Sequence, residues 1–223
     1  MLTKMVTGDN YISNSHSLNA QMMTNKINWA LLGSVRFFLA FIVLTEHLGW
    51  FVTNDPLLKF AKFSPLVAVL GFLVISGFSI AASFDANREK FYFRRGLRII
   101  PIYILGILFA EFVDFITSEN SLFNSSVEDI SIFKQVIGNL FFLQGFFVRS
   151  LESNLIVWTL SIEVFFYILT PFIKIKSQLL ITLIISSALL FMAQRYIGFM
   201  YYSQMMYGMG VLYLGWAWLV GFW

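Results

Sequence analysis

Apolar stretches of roughly 20 residues recur along this chain, and each is long enough to cross the hydrocarbon core of a bilayer. Little else is open to such a sequence. Only 12% of the 223 residues are charged, about half the share found in soluble domains, so charge cannot cover an ordinary water-facing surface. There is no cysteine, which excludes a disulfide scaffold, a thiol enzyme and a Cys-ligated zinc site. The expected fold is all-α, a polytopic bundle of transmembrane helices.

Residues 1–28 are polar, rich in Asn, Ser, Thr and Met, and lack both apolar periodicity and the pattern of a cleavable leader. They are expected to form a disordered cytoplasmic tail. The remainder, 29–223, reads as one transmembrane domain. Spans are expected over Trp29–Val52, Ser64–Ser83, Ile99–Thr117, Asn154–Ile173, Ser177–Gln194 and Ile197–Trp223, with Pro101 in the first turn of the third. A basic segment, FDANREKFYFRRGLR, separates the second and third spans, and an acidic loop with Glu119, Glu128 and Asp129 covers 118–131. Residues 132–148 are apolar but carry Lys134, Gln135, Asn139 and Gln144. This segment reads as a lateral or re-entrant helix as readily as a span.

Lys and Arg set orientation. Arg88, Lys90, Arg94, Arg95 and Arg98 in one connection, and Lys174 and Lys176 in another, belong on the cytoplasmic side, with the acidic loop outside. Both hold only if 132–148 does not cross. That parity gives about six spans with the N-terminus cytoplasmic. Trp29, Trp50, Tyr196, Tyr201 and Tyr202 fall near span ends, where interface anchors sit. Ser76, Gly77, Ser79, Ala81 and Ser83 form a small-residue stripe suited to close helix packing.

Ionisable groups within spans are costly and point to function. The first span holds Arg36, Glu46 and His47. Arg36 and His47 are 11 residues apart, about 16 Å along one helix face, with Glu46 turned about 100° from His47. The bland reading has Arg36 reaching cytoplasmic headgroups and His47 sitting at an interface. Glu111 and Asp114 share a face near the outer end of the third span, within reach of water. Glu163 has apolar residues on both sides and must face the bundle interior, where Thr159 and Ser161 are expected to bond neighbouring helices. The cluster Arg94, Arg95 and Arg98 suits either anionic lipid or a phosphorylated cytosolic ligand, which a guanidinium grips bidentately.

Four elements occur in order: VRFFLAFIVLTEHLGW, GFLVISGFSIAAS, FYFRRGLRIIPIYIL and WTLSIEVFFYILTPF. Together they resemble the membrane acyltransferase-3 family. The family's Arg and His separated by ten residues are matched by Arg36 and His47, and its SGF element by Phe72 to Phe78. Its RR-x-x-RI-x-P junction is matched by Arg94, Arg95, Arg98, Ile99 and Pro101, and its W-S-L-x-x-E element by Trp158, Thr159, Leu160 and Glu163. Thr159 replaces the commoner Ser, and Val164 stands where many relatives have a second acidic residue. Relatives usually have about ten spans, so the resemblance implies a domain incomplete at its C-terminus.

What the resemblance implies is an O-acyltransferase of the bacterial cytoplasmic (inner) membrane. It would transfer an acyl group, acetyl in the first instance, from acyl-CoA to a hydroxyl of an envelope polysaccharide or glycolipid. Arg94, Arg95 and Arg98 would hold the donor's phosphates and Arg36 would guide the acyl end. His47 would act as general base, and Glu163 would orient it or stabilise its imidazolium. Membrane lipid and the glycan are the expected partners; nucleic acid is not, and nothing in the sequence sets an oligomeric state. No metal site is expected, since His16 lies in the tail and leaves His47 alone within the fold. Two other readings stand beside this one: an inactive fragment of such an enzyme, and a transporter or flippase.

Overall fold

The computed structural model describes residues 28–48, 64–117, 132–151, 157–173, 177–197 and 208–223. Among them are seven helices and no strand: α1 (Trp29–Leu48), α2 (Pro65–Ala86), α3 (Phe91–Thr117), α4 (Ile132–Leu140), α5 (Trp158–Ile173), α6 (Ser177–Ile197) and α7 (Met209–Phe222). Four segments are long and apolar enough to cross a membrane: Trp29–His47, Pro65–Ala86, Phe91–Val113 and Ser177–Tyr196. The tail, the acidic loop, Trp50, Lys174, Lys176, Tyr201 and Tyr202 lie outside the described residues. Of the remaining expected anchors, Trp29 and Tyr196 are exposed near the ends of α1 and α6.

Local chemistry explains the helix ends. The Asn28 side chain accepts a hydrogen bond from the Leu31 N–H at 3.0 Å and caps α1. Pro65 opens α2, where its missing N–H removes no helical bond. Asn87 is extended and closes α2, while its side chain accepts from the Lys90 N–H at 3.2 Å. The chain therefore reverses within a few residues, and α3 starts at Phe91.

That start differs from the sequence expectation. Pro101 lies ten residues inside α3 rather than in its first turn, because the basic segment is helical from Phe91 onward. Phe91, fully buried, packs edge-on to Phe84 at 5.3 Å and anchors the early turns. Charge alone predicts a connection for these turns.

The core forms where α2 meets α5, α6 and α7. Gly77 lies against the Trp218 backbone and Gly221 against the Val74 backbone, so a Cβ on either would overlap the partner's carbonyl. Trp218 stacks between Phe166 at 4.6 Å and Phe222 at 4.9 Å. The Ser187 hydroxyl of α6 enters the hydrogen-bond ladder of α7, donating to the Leu212 carbonyl at 2.6 Å and accepting from the Trp216 N–H at 2.9 Å. Ile42 and Val43 of α1 cluster with Ala68 of α2, while Leu31, Val35 and Phe38 on α1 stay exposed, as lipid contact allows.

Residues 132–151 do not form a span-length helix. α4 has nine residues, about 14 Å against a core of about 30 Å. The chain then turns back through Phe142 and Gly145, both at positive φ, and pairs Gln144 with Val148 in an isolated bridge. Its tip meets α7, where the Gly208 N–H donates to the Gly145 carbonyl at 2.9 Å.

Candidate functional site

A cavity of about 500 Å³ lies among α1, α2, α3 and α5. Each helix contributes one stripe at helical spacing. α1 supplies Arg36, Ala40, Val43 and Leu44; α2 supplies Val69, Phe72, Leu73, Ser76 and Ser79. α3 adds Arg95, Arg98 and Ile99, and α5 adds Thr159, Glu163 and Tyr167. The lining is polarised along its length. Arg36 and Ser79 mark one end, and the apolar run of Val43, Leu44 and Val69 marks the other.

The charged groups are held by the small residues of α2. The Ser79 hydroxyl accepts from Arg36 Nη2 at 2.9 Å and donates to the Ile75 carbonyl at 2.7 Å. Arg36 Nη2 also lies 3.4 Å from that carbonyl. From the other side, Arg95 Nη2 donates to the Ser79 carbonyl at 3.2 Å, and its guanidinium sits 5.9 Å from the centre of the Tyr167 ring. Arg95 Nε is buried without a hydrogen-bond partner among the described residues. Glu163 Oε1 accepts from both the Ser76 and the Tyr167 hydroxyls. Three guanidinium groups thus face one carboxylate across this cavity, a balance that favours an anion.

The six expected site residues divide. Arg36, Arg95, Arg98 and Glu163 come together on the cavity. Arg94 does not line it. Its Nη2 donates to the carbonyls of Ser83 at 3.1 Å and Asn87 at 2.8 Å, closing the end of α2. His47 is not among the lining residues either, but Val43, one turn before it, is. His47 Nδ1 pairs with the Val43 carbonyl at 2.7 Å. Since only a protonated nitrogen can bond a carbonyl, the neutral ring keeps its lone pair on Nε2. The buried Oε2 of Glu46, beside it in sequence, has no hydrogen-bond partner among the described residues.

No family model, curated protein or solved structure matches this chain. The chemistry of the site rests on its own geometry.

Two expectations change. Among the described residues Ser161 bonds within its own helix, not to a neighbour: its hydroxyl donates to the Trp158 carbonyl at 2.7 Å. Ser76 and Ser79, expected as a packing stripe, instead hold the carboxylate and the guanidinium groups. Tyr167 was absent from the expected set. Its only sequence signal is a spacing of four from Glu163, which places the two on one helix face.

Proposed function

We propose that this chain is an integral-membrane O-acyltransferase of the acyltransferase-3 type. It moves an acyl group from acyl-CoA to a hydroxyl of a cell-envelope glycan or glycolipid. The observation that carries the reading is the convergence of Arg36, Arg95 and Arg98 at one end of a cavity whose α1 wall leads toward His47. Arg36 and His47 are about 16 Å apart along α1, a separation on the scale of the pantetheine arm between the phosphates and the thioester of acyl-CoA. The buried, unpartnered Nε of Arg95 suits an anionic donor.

In this reading the arginines bind the phosphates of the donor substrate by charge-assisted hydrogen bonds. His47 Nε2 takes the proton of the acceptor hydroxyl as its oxygen attacks the thioester carbonyl. The C–S bond breaks, and the departing thiolate receives the proton from the imidazolium. Glu163 balances the guanidinium charge on the donor side instead of contacting His47. The cationic end of the cavity faces the cytoplasm with the N-terminus, six spans cross a bacterial inner membrane, and the α4 hairpin stays on the outer side. A charge-lined cavity within apolar helices also suits passage of an anionic substrate, and a flippase would move a labelled glycolipid without forming an ester.

The test is transfer of labelled acetyl from acetyl-CoA to envelope glycan by membranes containing this chain, with His47→Ala alongside. Label in the glycan that disappears in His47→Ala is expected. Equal labelling by the two chains, or movement of glycolipid without an acyl bond, would overturn the assignment.

A further inference from the structure

Gln144 stands outside the cavity, yet it bonds α3 and the residue that leads into α5, the helices that bring opposite charges to it. It is fully buried in the hairpin that follows α4. Its side-chain NH2 donates to the Tyr103 hydroxyl of α3 at 2.8 Å and to the Val157 carbonyl, immediately before α5, at 3.0 Å. Both donor hydrogens are used. Tyr103 passes the connection back into the hairpin, since its hydroxyl donates to the Asn139 carbonyl at 2.7 Å. Asn139, also fully buried, braces the hairpin by donating to the carbonyls of Gln135 at 2.9 Å and Arg149 at 2.8 Å.

These bonds form the upper of two rungs between α3 and α5. The lower rung is the Tyr92 hydroxyl donating to the Ile168 carbonyl at 3.1 Å, with Arg95 beside Tyr167 one turn further on. From Tyr92 to Tyr103 on α3, and from Ile168 on α5 back to Val157 just before its start, the separation is the same: 11 residues, about 16 Å along a helix. Arg98, Ile99, Thr159 and Glu163 lie between the rungs and line the cavity.

The hairpin is shaped to deliver this amide. Phe142, two residues earlier, has φ 59°, a backbone region an aromatic residue seldom adopts. Its ring is held there by stacking on Tyr103 at 4.2 Å. An apolar side chain of similar volume would fill the space of Gln144, so packing alone does not require an amide.

We infer that Gln144 is a positioning residue for the site: its amide sets the separation between α3, which carries Arg95 and Arg98, and α5, which carries Glu163. The activity arm of the test rests on the acyltransferase reading; the distance arm does not. Because the chain has no cysteine, spin labels at Ile102→Cys on α3 and Val164→Cys on α5 report that separation alone. In Gln144→Met the distance distribution is expected to shift or broaden beyond that of the parent. In Tyr103→Phe, which keeps the ring stack and the Val157 bond, the change is expected to be smaller. Where transfer is measured, kcat should fall about 10²-fold in Gln144→Met, with KM for acyl-CoA within about threefold of the parent because the guanidinium groups remain.

Superimposable distances in folded Gln144→Met, or in Tyr103→Phe if the first variant does not fold, would overturn the inference. So would equal losses in kcat and in acyl-CoA affinity with no change in distance. An absence of transfer by every chain would refute the acyltransferase reading, while the distances still decide the role of Gln144.

Discussion

Replacing Glu163 by Gln and by Leu separates its charge from its hydrogen bonds. Oε1 accepts from Ser76 and Tyr167, whose residues are only 4% and 7% exposed. A Gln carbonyl can accept both bonds, so Glu163→Gln should change stability by less than about 1 kcal/mol. Leu accepts neither. Each buried hydroxyl left without an acceptor costs about 1–3 kcal/mol, though Ser76 can recover part of this from the Phe72 carbonyl one turn back. Glu163→Leu should therefore lose about 2–4 kcal/mol.

Under the proposed acyltransferase function, activity should divide differently. Both variants remove the carboxylate that lines the cavity with three guanidinium groups, so both should let the donor shift and lose tenfold or more in kcat. KM for acyl-CoA should not rise, because the site becomes more cationic. Stability is read by denaturant titration in detergent micelles, and kinetics by transfer of labelled acyl groups. Full kcat in Glu163→Gln would reduce the residue to a packing element. Equal destabilisation by Gln and Leu would refute the hydrogen-bond account.

Two further pairs of substitutions test the packing and the division among the arginines. Gly77→Ala should destabilise by about 1–3 kcal/mol, since its Cβ meets backbone, whereas Gly33→Ala, with nothing within 4 Å, should be neutral or stabilising by up to about 1 kcal/mol; thermal unfolding of both variants checks this. Arg94→Gln should cost about 1 kcal/mol through its lost bonds to the end of α2 and leave KM for acyl-CoA unchanged. Arg98→Gln should instead raise that KM about tenfold with little effect on stability.

The long apolar helices were legible because hydrocarbon imposes one requirement over many consecutive residues. α1, α2 and α6 begin within a residue of the expected starts. The basic start of α3 was not legible: charge suggested a connection, while burial of Phe91 against Phe84 made it helix. Arg36 and Glu163 stood out because an ionisable group in an apolar run needs a partner. The partners themselves did not, because Ser76 and Ser79 meet them across helices, and a serine in a small-residue stripe looks the same whether it packs or donates. Arg94, Arg95 and Arg98 form one cluster in the sequence, but the turn of a helix sends the first to cap α2 and the other two to the cavity.

The backbone contact at Gly77 also bears on how the protein is made. α2 is synthesised before α7, yet the carbonyl that Gly77 meets belongs to Trp218 in α7. Until α7 leaves the ribosome, that glycine lacks its native partner. Until then, lipid or another segment of the chain must cover that small-residue face. The α2 wall of the cavity therefore gains its backing from a helix made well after α2 itself.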